Sequence, residues 1–134
     1  MKPEKFAAAD ADKSAEATEP EYTVRSSNYV PCPVAVGDLL FIFNDKGVVQ
    51  CVDLETGKPH WKERLQAGFS ASPVANAKHV YAVGDDGTVF VLKAAKEFDQ
   101  VAKFSLEEKS RATPMIVGDQ IFFRTDSQLI CFGK

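Results

Sequence analysis

The sequence predicts an all-β fold, a partial β-propeller of about three four-stranded antiparallel blades. The first observation is a repeat, because the matching prolines Pro33, Pro73 and Pro114 are 40 and 41 positions apart. The second is that each repeat holds short β-branched and aromatic runs separated by glycine and aspartate turns. A period of about 40 residues built from strands is typical of a β-propeller, with one blade per repeat.

Each repeat divides into short predicted strands. The first repeat is predicted to hold strands at 30–36, 39–43, 48–53 and 59–65. The second is predicted to hold strands at 70–75, 79–83, 88–93 and 99–105. The third supplies only 112–117, 120–125 and 128–132. The blades therefore occupy about residues 28–66, 67–106 and 107–134, and the last one lacks its fourth strand.

The second strand of each repeat is nearly all apolar, as in the run Leu-Leu-Phe-Ile-Phe at 39–43. Alternation of apolar and polar residues marks a sheet that is wet on one face, whereas a continuous apolar run marks a strand covered on both faces. Blades stacked face to face meet that requirement, so stacking is predicted.

The N-terminal part differs in composition from the repeats. Residues 1–20 are rich in alanine and acidic side chains, which predicts a flexible linker because such a segment buries too little surface to offset its ordering entropy. A short alanine-favoured helix that ends at Pro20 is the lesser alternative. Residues 21–25, Glu-Tyr-Thr-Val-Arg, predict one isolated strand before the repeat domain, which spans 21–134.

Composition and charge exclude several classes of protein. Sixteen basic and 19 acidic side chains leave a net charge of −3, with no basic cluster to neutralise a phosphate backbone, so nucleic acid is not a predicted partner. No apolar run reaches the roughly 18 residues of a membrane span, and the N-terminus lacks the apolar stretch of a secretory signal. The chain is expected either to stay in the cytoplasm or to be a piece of a longer exported protein.

Residues 52–61, Val-Asp-Leu-Glu-Thr-Gly-Lys-Pro-His-Trp, carry a family resemblance. This stretch resembles the pyrroloquinoline-quinone-like (PQQ-like) propeller repeat, with a Thr-Gly-Lys turn and a tryptophan four residues after the glycine. The resemblance covers roughly residues 28–133, and a fold does not fix an activity. It implies a non-catalytic protein-binding or assembly scaffold, as in the family's outer-membrane assembly lipoproteins, and an exported or periplasmic parent protein.

The same resemblance leaves two other functions open. One is a fragment of a PQQ-dependent quinoprotein dehydrogenase, a class that binds the quinone and a calcium ion at the ring centre. Those enzymes have a vicinal cysteine pair, which this chain lacks. The other is a sensor or regulatory domain whose neighbour lies elsewhere in the gene. The sequence predicts no catalytic, cofactor-binding or metal-binding residue, and no cofactor.

The candidate polar and aromatic residues all have a structural interpretation. Trp61 is predicted to dock between adjacent blades with its indole N–H bonded to backbone. Three aspartates, Asp45, Asp85 and Asp126, recur at one turn, and turn capping explains them better than calcium binding. His60 and His79 are isolated and are predicted at solvent-facing or edge-strand positions.

The three cysteines, Cys32, Cys51 and Cys131, form no C-x-x-C pair. Cys51 and Cys131 fall at the same place in their repeats, where the second repeat has Val91. A position that accepts valine or cysteine is predicted to be a small buried apolar site rather than a disulfide or a metal site.

Three blades cannot close a ring, since propellers close with about four to eight. Uncovered blade faces and unpaired strand edges favour association. The chain is predicted to be the C-terminal end of a longer propeller, in which residues 21–25 close the blade before the first repeat; completion by a second copy is the alternative for the isolated chain. The expected partner is another protein or another copy of this chain, bound through the open blade edges.

Overall fold

The computed structural model describes residues 19–25 and 30–133, and the strands it contains form three antiparallel sheets. The first sheet, blade 1, consists of β1 (Val34–Val36), β2 (Leu39–Phe43), β3 (Val48–Asp53) and β4 (Pro59–Arg64). Blade 2 consists of β5 (Val74–Ala75), β6 (His79–Val83), β7 (Thr88–Lys93) and β8 (Gln100–Ser105). Blade 3 consists of β9 (Met115–Val117), β10 (Gln120–Arg124) and β11 (Leu129–Gly133).

Each sheet is a simple meander in which neighbours in sequence are neighbours in space. The spatial orders are β1-β2-β3-β4, β5-β6-β7-β8 and β9-β10-β11, with every pairing antiparallel. The all-β partial propeller predicted from the sequence is confirmed.

The first strand of each blade is shorter than predicted. The predictions started at residues 30, 70 and 112, whereas β1, β5 and β9 start at Val34, Val74 and Met115. In each case the strand starts directly after the repeated proline, because proline has no N–H to donate to a ladder.

The space between blades 1 and 2 holds the larger apolar core. One blade contributes side chains such as Phe41 and Phe43, and the other contributes Val80, Phe90 and Leu92. The ring of Phe69, in the link between the two blades, lies 5.3 Å from Phe43 and 5.8 Å from Phe90 between ring centroids. The predicted covering of β2 on both faces is confirmed, since four of its five residues are buried.

A second core lies between blades 2 and 3. Val83, Val89 and Val91 of blade 2 pack with the fully buried Phe123 of blade 3. Each blade thus has two faces, named here the N-side face, toward the preceding blade, and the C-side face, toward the following blade. Facing pairs across the sheets show that the register is the same in all three blades.

Two of the three repeated aspartates, Asp45 and Asp85, join the segment that enters a blade to the hairpin turn of the same blade, a contact that the capping prediction did not include. Asp45 Oδ1 accepts a hydrogen bond from the backbone N–H of Val30, and Asp85 Oδ1 accepts one from Ser70 at 2.9 Å. The first turn is capped by Asn44, whose Oδ1 accepts from two backbone N–H groups.

Residues 21–25 do not form a strand, so the strand prediction there is wrong. A strand needs a hydrogen-bonded neighbour, and the described residues place none beside this segment. The predicted linker at 1–20 lies almost entirely outside the described residues. Within the described part of the chain, no helix is long and apolar enough to cross a membrane.

Candidate functional site

The described residues bring no three histidine, cysteine or acidic side chains together where they could hold a metal ion. We describe three surfaces as the candidate site. They are the aromatic contact that docks one blade on the next, the uncovered face of blade 3 and the unpaired edge of its last strand.

Trp61 joins blade 1 to blade 2, as predicted. Its indole Nε1 donates a hydrogen bond of 3.1 Å to the backbone carbonyl of Ala95, in the turn after β7. Its ring packs edge-on against Phe98 at 5.1 Å and lies 6.0 Å from Phe41. The outer strand of one blade therefore locks onto the turn of the next.

Tyr22 makes the same kind of contact one blade earlier. Its hydroxyl donates to the backbone carbonyl of Leu54, in the turn after β3. Its ring lies so close to Gly57 that no side chain fits there. This role of Tyr22 was not predicted, although the sequence has an aromatic residue two positions after a proline both at Pro20–Tyr22 and at Pro59–Trp61.

No sheet of the described residues covers the C-side face of blade 3, and most of its side chains are exposed, with Phe122 half-buried. We call it the open face and define it by Met115, Val117, Phe122, Leu129 and Cys131, which the strand register places on one side of the sheet. Three of them are large apolar side chains that are more than half exposed: Met115 at 53%, Val117 at 52% and Leu129 at 71%.

Equivalent positions in the other blades serve as an internal reference for this exposure. Val49 in blade 1 and Val89 in blade 2 occupy the position of Leu129, and both are 0% exposed. The difference arises because a following blade covers them. Leu129 is exposed because no further sheet of the described residues covers its face.

Blade 3 also has an open strand edge. Strands β4 and β8 form the outer edges of blades 1 and 2, but among the described residues nothing pairs with the outer side of β11. In blades 1 and 2 the incoming outer strand pairs with a shift of register after Cys51 and after Val91. Unpaired backbone groups on β11 are therefore ready to accept another strand.

One charged side chain interrupts the open face. Arg124 occupies the position that Phe43 has in blade 1 and Val83 has in blade 2. Arg124 is exposed, whereas its two counterparts are fully buried. A sheet that covers this face must provide a hydrogen-bond acceptor for the guanidinium group.

The N-side face of blade 1 is covered only in part. It carries Leu40, Ile42, Val48, Gln50 and Val52. Beside it lies a hollow of roughly 410 Å³. Its lining consists of Arg25, Asn44, Lys46, Val48, Gln50, Lys62 and Arg64.

The cysteines divide by exposure. Cys51 is fully buried, as predicted, whereas Cys131 is exposed, which corrects the prediction that both are buried. The reason is the absent cover on the open face, because the two cysteines occupy equivalent positions. Cys32 is also exposed, and all three are free thiols.

Burial raises the pKa of the Cys51 thiol to about 11, and the nearby Asp38 carboxylate adds to the effect. The unfolded chain has the ordinary value of 9.0 and loses its proton first as the pH rises. We therefore expect the free energy of unfolding to be unaffected by this group below pH 9 and to fall by about 2–3 kcal/mol between about pH 9 and 11.

Urea unfolding of the wild-type chain and of Cys51→Val at several pH values checks this expectation. The variant is a matched control because blade 2 already has Val91 at the equivalent position. The difference in stability between the two proteins should shift over that range in favour of the variant. A constant difference would contradict the assignment.

The remaining polar residues considered in the sequence, His60, His79 and Asp126, lie on strands or in a turn of the blades. His60 lies on the edge strand β4, as predicted, and its buried Nε2 has no hydrogen-bond partner among the described residues. His79 lies on the inner strand β6, half-buried beside Tyr81, so the edge or solvent position predicted for it is wrong. At the third repeated turn, Asp126 donates its backbone N–H to the carbonyl of Lys109.

At the third repeated turn, the side chain of Glu108 makes the polar contacts with the hairpin. Its carboxylate accepts hydrogen bonds from the hydroxyls of Thr125 and Ser127. The Ser127 hydroxyl is the main cause of a lowered pKa for this carboxyl group, and Thr125 adds to it. The contact holds the entry to blade 3 against its own hairpin.

Stacked antiparallel meanders, in which an aromatic residue of one blade docks on a turn of the following blade, are typical of PQQ-like β-propellers. The family profile described as outer membrane protein assembly factor BamB matches residues 8–130. The chain belongs to this family.

Individual relatives agree with that assignment. The chain is 30% identical over 111 residues to the outer membrane protein assembly factor BamB of Burkholderia pseudomallei (strain K96243), covering 81% of this chain. It spans only 28% of the length of that relative. The relative is therefore far longer than the chain.

Two solved structures share the fold. BamB from Moraxella catarrhalis matches with a TM-score of 0.70 at 22% identity, over 84% of this chain and 36% of that one. The quinohemoprotein alcohol dehydrogenase ADHIIG from Pseudomonas putida HK5 matches with a TM-score of 0.62 at 16% identity, over 76% and 17%. At these identities the likeness concerns the fold alone.

Proposed function

We propose that this chain is a non-catalytic propeller segment that binds protein and serves as an assembly scaffold. The exposure of Leu129, at a position where Val49 and Val89 are fully buried, carries the proposal. A largely apolar sheet face with a single charged side chain is suited to another protein surface rather than to a small polar substrate. The open edge of β11 adds backbone donors and acceptors to the same surface.

The proposed process is the assembly of outer-membrane proteins, within a longer parent protein that is exported to the periplasm. Family membership supports it, together with the relative from Burkholderia pseudomallei, which is described as an outer membrane protein assembly factor. The net charge of −3 argues for a protein partner rather than nucleic acid.

A chimera tests this process. The segment matched in the Burkholderia pseudomallei relative is replaced by this chain, and the chimera is produced in a strain that lacks the native factor. Restored levels of outer-membrane proteins are the expected result. A chimera that resists protease, and so is folded, but leaves those levels at the values of the deletion strain would overturn the proposal.

The second candidate is a fragment of a PQQ-dependent quinoprotein dehydrogenase, favoured by the shared fold with the alcohol dehydrogenase. In this chain the one tryptophan, Trp61, is already engaged by Ala95 and Phe98, so it is not free to stack on a quinone. Adding pyrroloquinoline quinone with calcium is expected to leave the thermal midpoint unchanged, since only a ligand that binds the folded state raises it. A saturable rise would favour the dehydrogenase.

Copies of this chain are the proposed partners in the absence of other protein. The open face and the edge of β11 are available for binding at the blade 3 end of the three stacked blades. The partly covered N-side face of blade 1 lies at the other end. Contact between unlike surfaces closes into a ring when the rotation allows it. Two copies would supply six blades, which is within the range of closed propellers.

A further inference from the structure

We propose that the outer edge of β8, in blade 2, binds an extended strand of a partner protein that has an acidic residue at its centre and a basic residue toward each end. This inference rests on the proposed protein-binding function and names the edge and the kind of segment that it takes. Blade 2 has all four of its strands, with blade 1 on one face and blade 3 on the other, so the argument uses no residue outside 30–133.

The outer strands β4 and β8 can be compared residue by residue. Cys51 pairs with Trp61 in blade 1, and Val91 pairs with Ala102 at the equivalent place in blade 2. Each strand closes its blade on the outer side, and no strand within the described residues pairs with the outer side of either. The two edges therefore differ only in the residues that they carry.

Strand β4 has the features that protect a sheet edge against further pairing. Its sequence, Pro-His-Trp-Lys-Glu-Arg, begins with a proline, which has no N–H to donate, and ends with three charged residues in succession. Proline and charged side chains are the usual means by which an edge strand avoids taking on another strand. The edge of β4 is therefore a poor site for strand addition.

Strand β8 lacks this protection. Its sequence, Gln-Val-Ala-Lys-Phe-Ser, has no proline and only one charged residue, Lys103. All six residues are exposed, and two of them are large apolar side chains, Val101 at 47% and Phe104 at 36%. An exposed edge with few charges and apolar side chains is a template for another strand.

The hydrogen bonds of the blade show which backbone groups of β8 are available. The N–H of Leu106 donates to the carbonyl of Gly87, so these two residues form a hydrogen-bonded pair of the antiparallel ladder. Such pairs alternate along a ladder, so Phe104 directs its backbone groups toward β7, whereas Lys103 and Ser105 direct theirs outward. These two residues would bond an added strand.

The side chains of β8 lie on two faces of the rim. The ammonium group of Lys103 lies on the blade 1 side, 5.5 Å from the ring centroid of Phe90. The ring of Phe104 lies on the blade 3 side, 5.3 Å from that of Phe132 between centroids. An added strand would extend both faces outward, and its alternate side chains would contact Lys103 on one face and Phe104 on the other.

The charges near this edge select the kind of strand that binds. The exposed charged residues nearest to the two ends of β8 are Asp99 and Glu107, each four positions from Lys103. A strand with a basic, an acidic and a second basic residue at the same spacing places an opposite charge near each of the three. Opposite charges on neighbouring strands stabilise their pairing, and like charges weaken it.

A synthetic peptide with this pattern tests the inference on the full-length chain. The probe is Lys-Val-Thr-Val-Glu-Val-Thr-Val-Lys with both ends blocked, and its sequence reads the same in both directions, so parallel and antiparallel addition give the same charge pairs. The control peptide, Glu-Val-Thr-Val-Lys-Val-Thr-Val-Glu, keeps the apolar residues and reverses every charge. We expect it to bind about tenfold more weakly.

Nuclear magnetic resonance of the nitrogen-15-labelled chain locates the bound peptide. The amide signals of Lys103 and Ser105 should shift on addition of the probe, and their exchange with solvent should slow. In β4 the N–H of Leu65 donates to the carbonyl of Gly47, so Lys62 and Arg64 are the equivalent outward residues. Their signals should stay unchanged, which makes β4 a control within the same molecule.

A charge reversal in the protein provides a second readout. Lys103→Glu should weaken binding of the probe about fivefold, because the central acidic residue of the peptide then faces a like charge. Lys62→Glu is the matched control, since it reverses the equivalent lysine of β4, and it should leave the affinity unchanged.

The other results would overturn the inference. Equal shifts at Lys62 and Arg64 would show that the proline and charges of β4 make no difference to pairing. Equal binding of the control peptide, or equal effects of the two charge reversals, would remove the proposed partner chemistry. Shifts confined to the open face around Leu129, or no shift at all, would remove the site on β8. The chimera would still test the assembly function separately in each case.

Discussion

Replacing Trp61 by alanine is expected to lower the free energy of unfolding by about 3 kcal/mol. The indole joins two blades through its bond to Ala95 and its packing on Phe98 and Phe41. Truncation removes all three contacts and leaves a gap at the outer rim of the larger core. The figure is at the low end for tryptophan because the side chain is half-buried.

Urea unfolding followed by far-ultraviolet circular dichroism measures this loss, since the chain has no other tryptophan to report by fluorescence. Trp61→Phe keeps a ring but loses the N–H donor, and should cost less than the alanine variant. Lys62→Ala is the matched control, because it lies next in the strand, on the opposite face and exposed, and should change stability by about 0.5 kcal/mol or less. A loss of similar size in Lys62→Ala would contradict the docking role.

Replacing Gly87 by alanine is expected to be still more damaging, with a loss of more than about 3 kcal/mol. Gly87 has φ of +89°, a conformation that side chains rarely adopt, and an added Cβ would collide with the backbone carbonyl oxygen of Glu108. Because the colliding atom belongs to the backbone, no change of side-chain rotamer can relieve the contact. The Gly87 carbonyl also accepts a 2.9 Å bond from the N–H of Leu106, so relief would separate blade 2 from the link to blade 3.

Gly118→Ala is the control for the conformational part of that loss. Gly118 has φ of +56°, and nothing lies within 4 Å of an added Cβ. Its cost should be only about 1–2 kcal/mol, the price of a left-handed conformation without a collision. If the two variants unfold at the same urea concentration, the close approach at Gly87 adds nothing to the loss of unfolding free energy, which would contradict the prediction.

The sequence predicted the fold well because its signals are local and repeated. Turn glycines and apolar second strands place most strands within a residue or two, and the tryptophan in the Thr-Gly-Lys motif docks as expected. The starts of the first strands were set too early, since Pro33 and its counterparts interrupt the ladder in a way that alternation does not reveal.

What the sequence could not provide was the neighbour of each face. Cys51 and Cys131 are equivalent in pattern, yet one is buried and the other exposed, because exposure depends on whether a further sheet is present. Likewise, residues 21–25 have strand-forming side chains, but no strand within 30–133 pairs with them. The role of Asp85, which bonds Ser70 in the link between blades, also depends on a contact that spacing alone does not show.

The molar mass of the intact chain in solution tests most directly whether the open face binds another sheet. Light scattering over a range of concentrations should give a self-associated species of about twice 14.7 kDa. Leu129→Asp should return the mass to that of one chain, because it places a charge on the open face. Val101→Asp, at an exposed apolar residue on the outer strand β8, should leave the dimer intact. A wild-type mass of 14.7 kDa at every concentration would contradict the account.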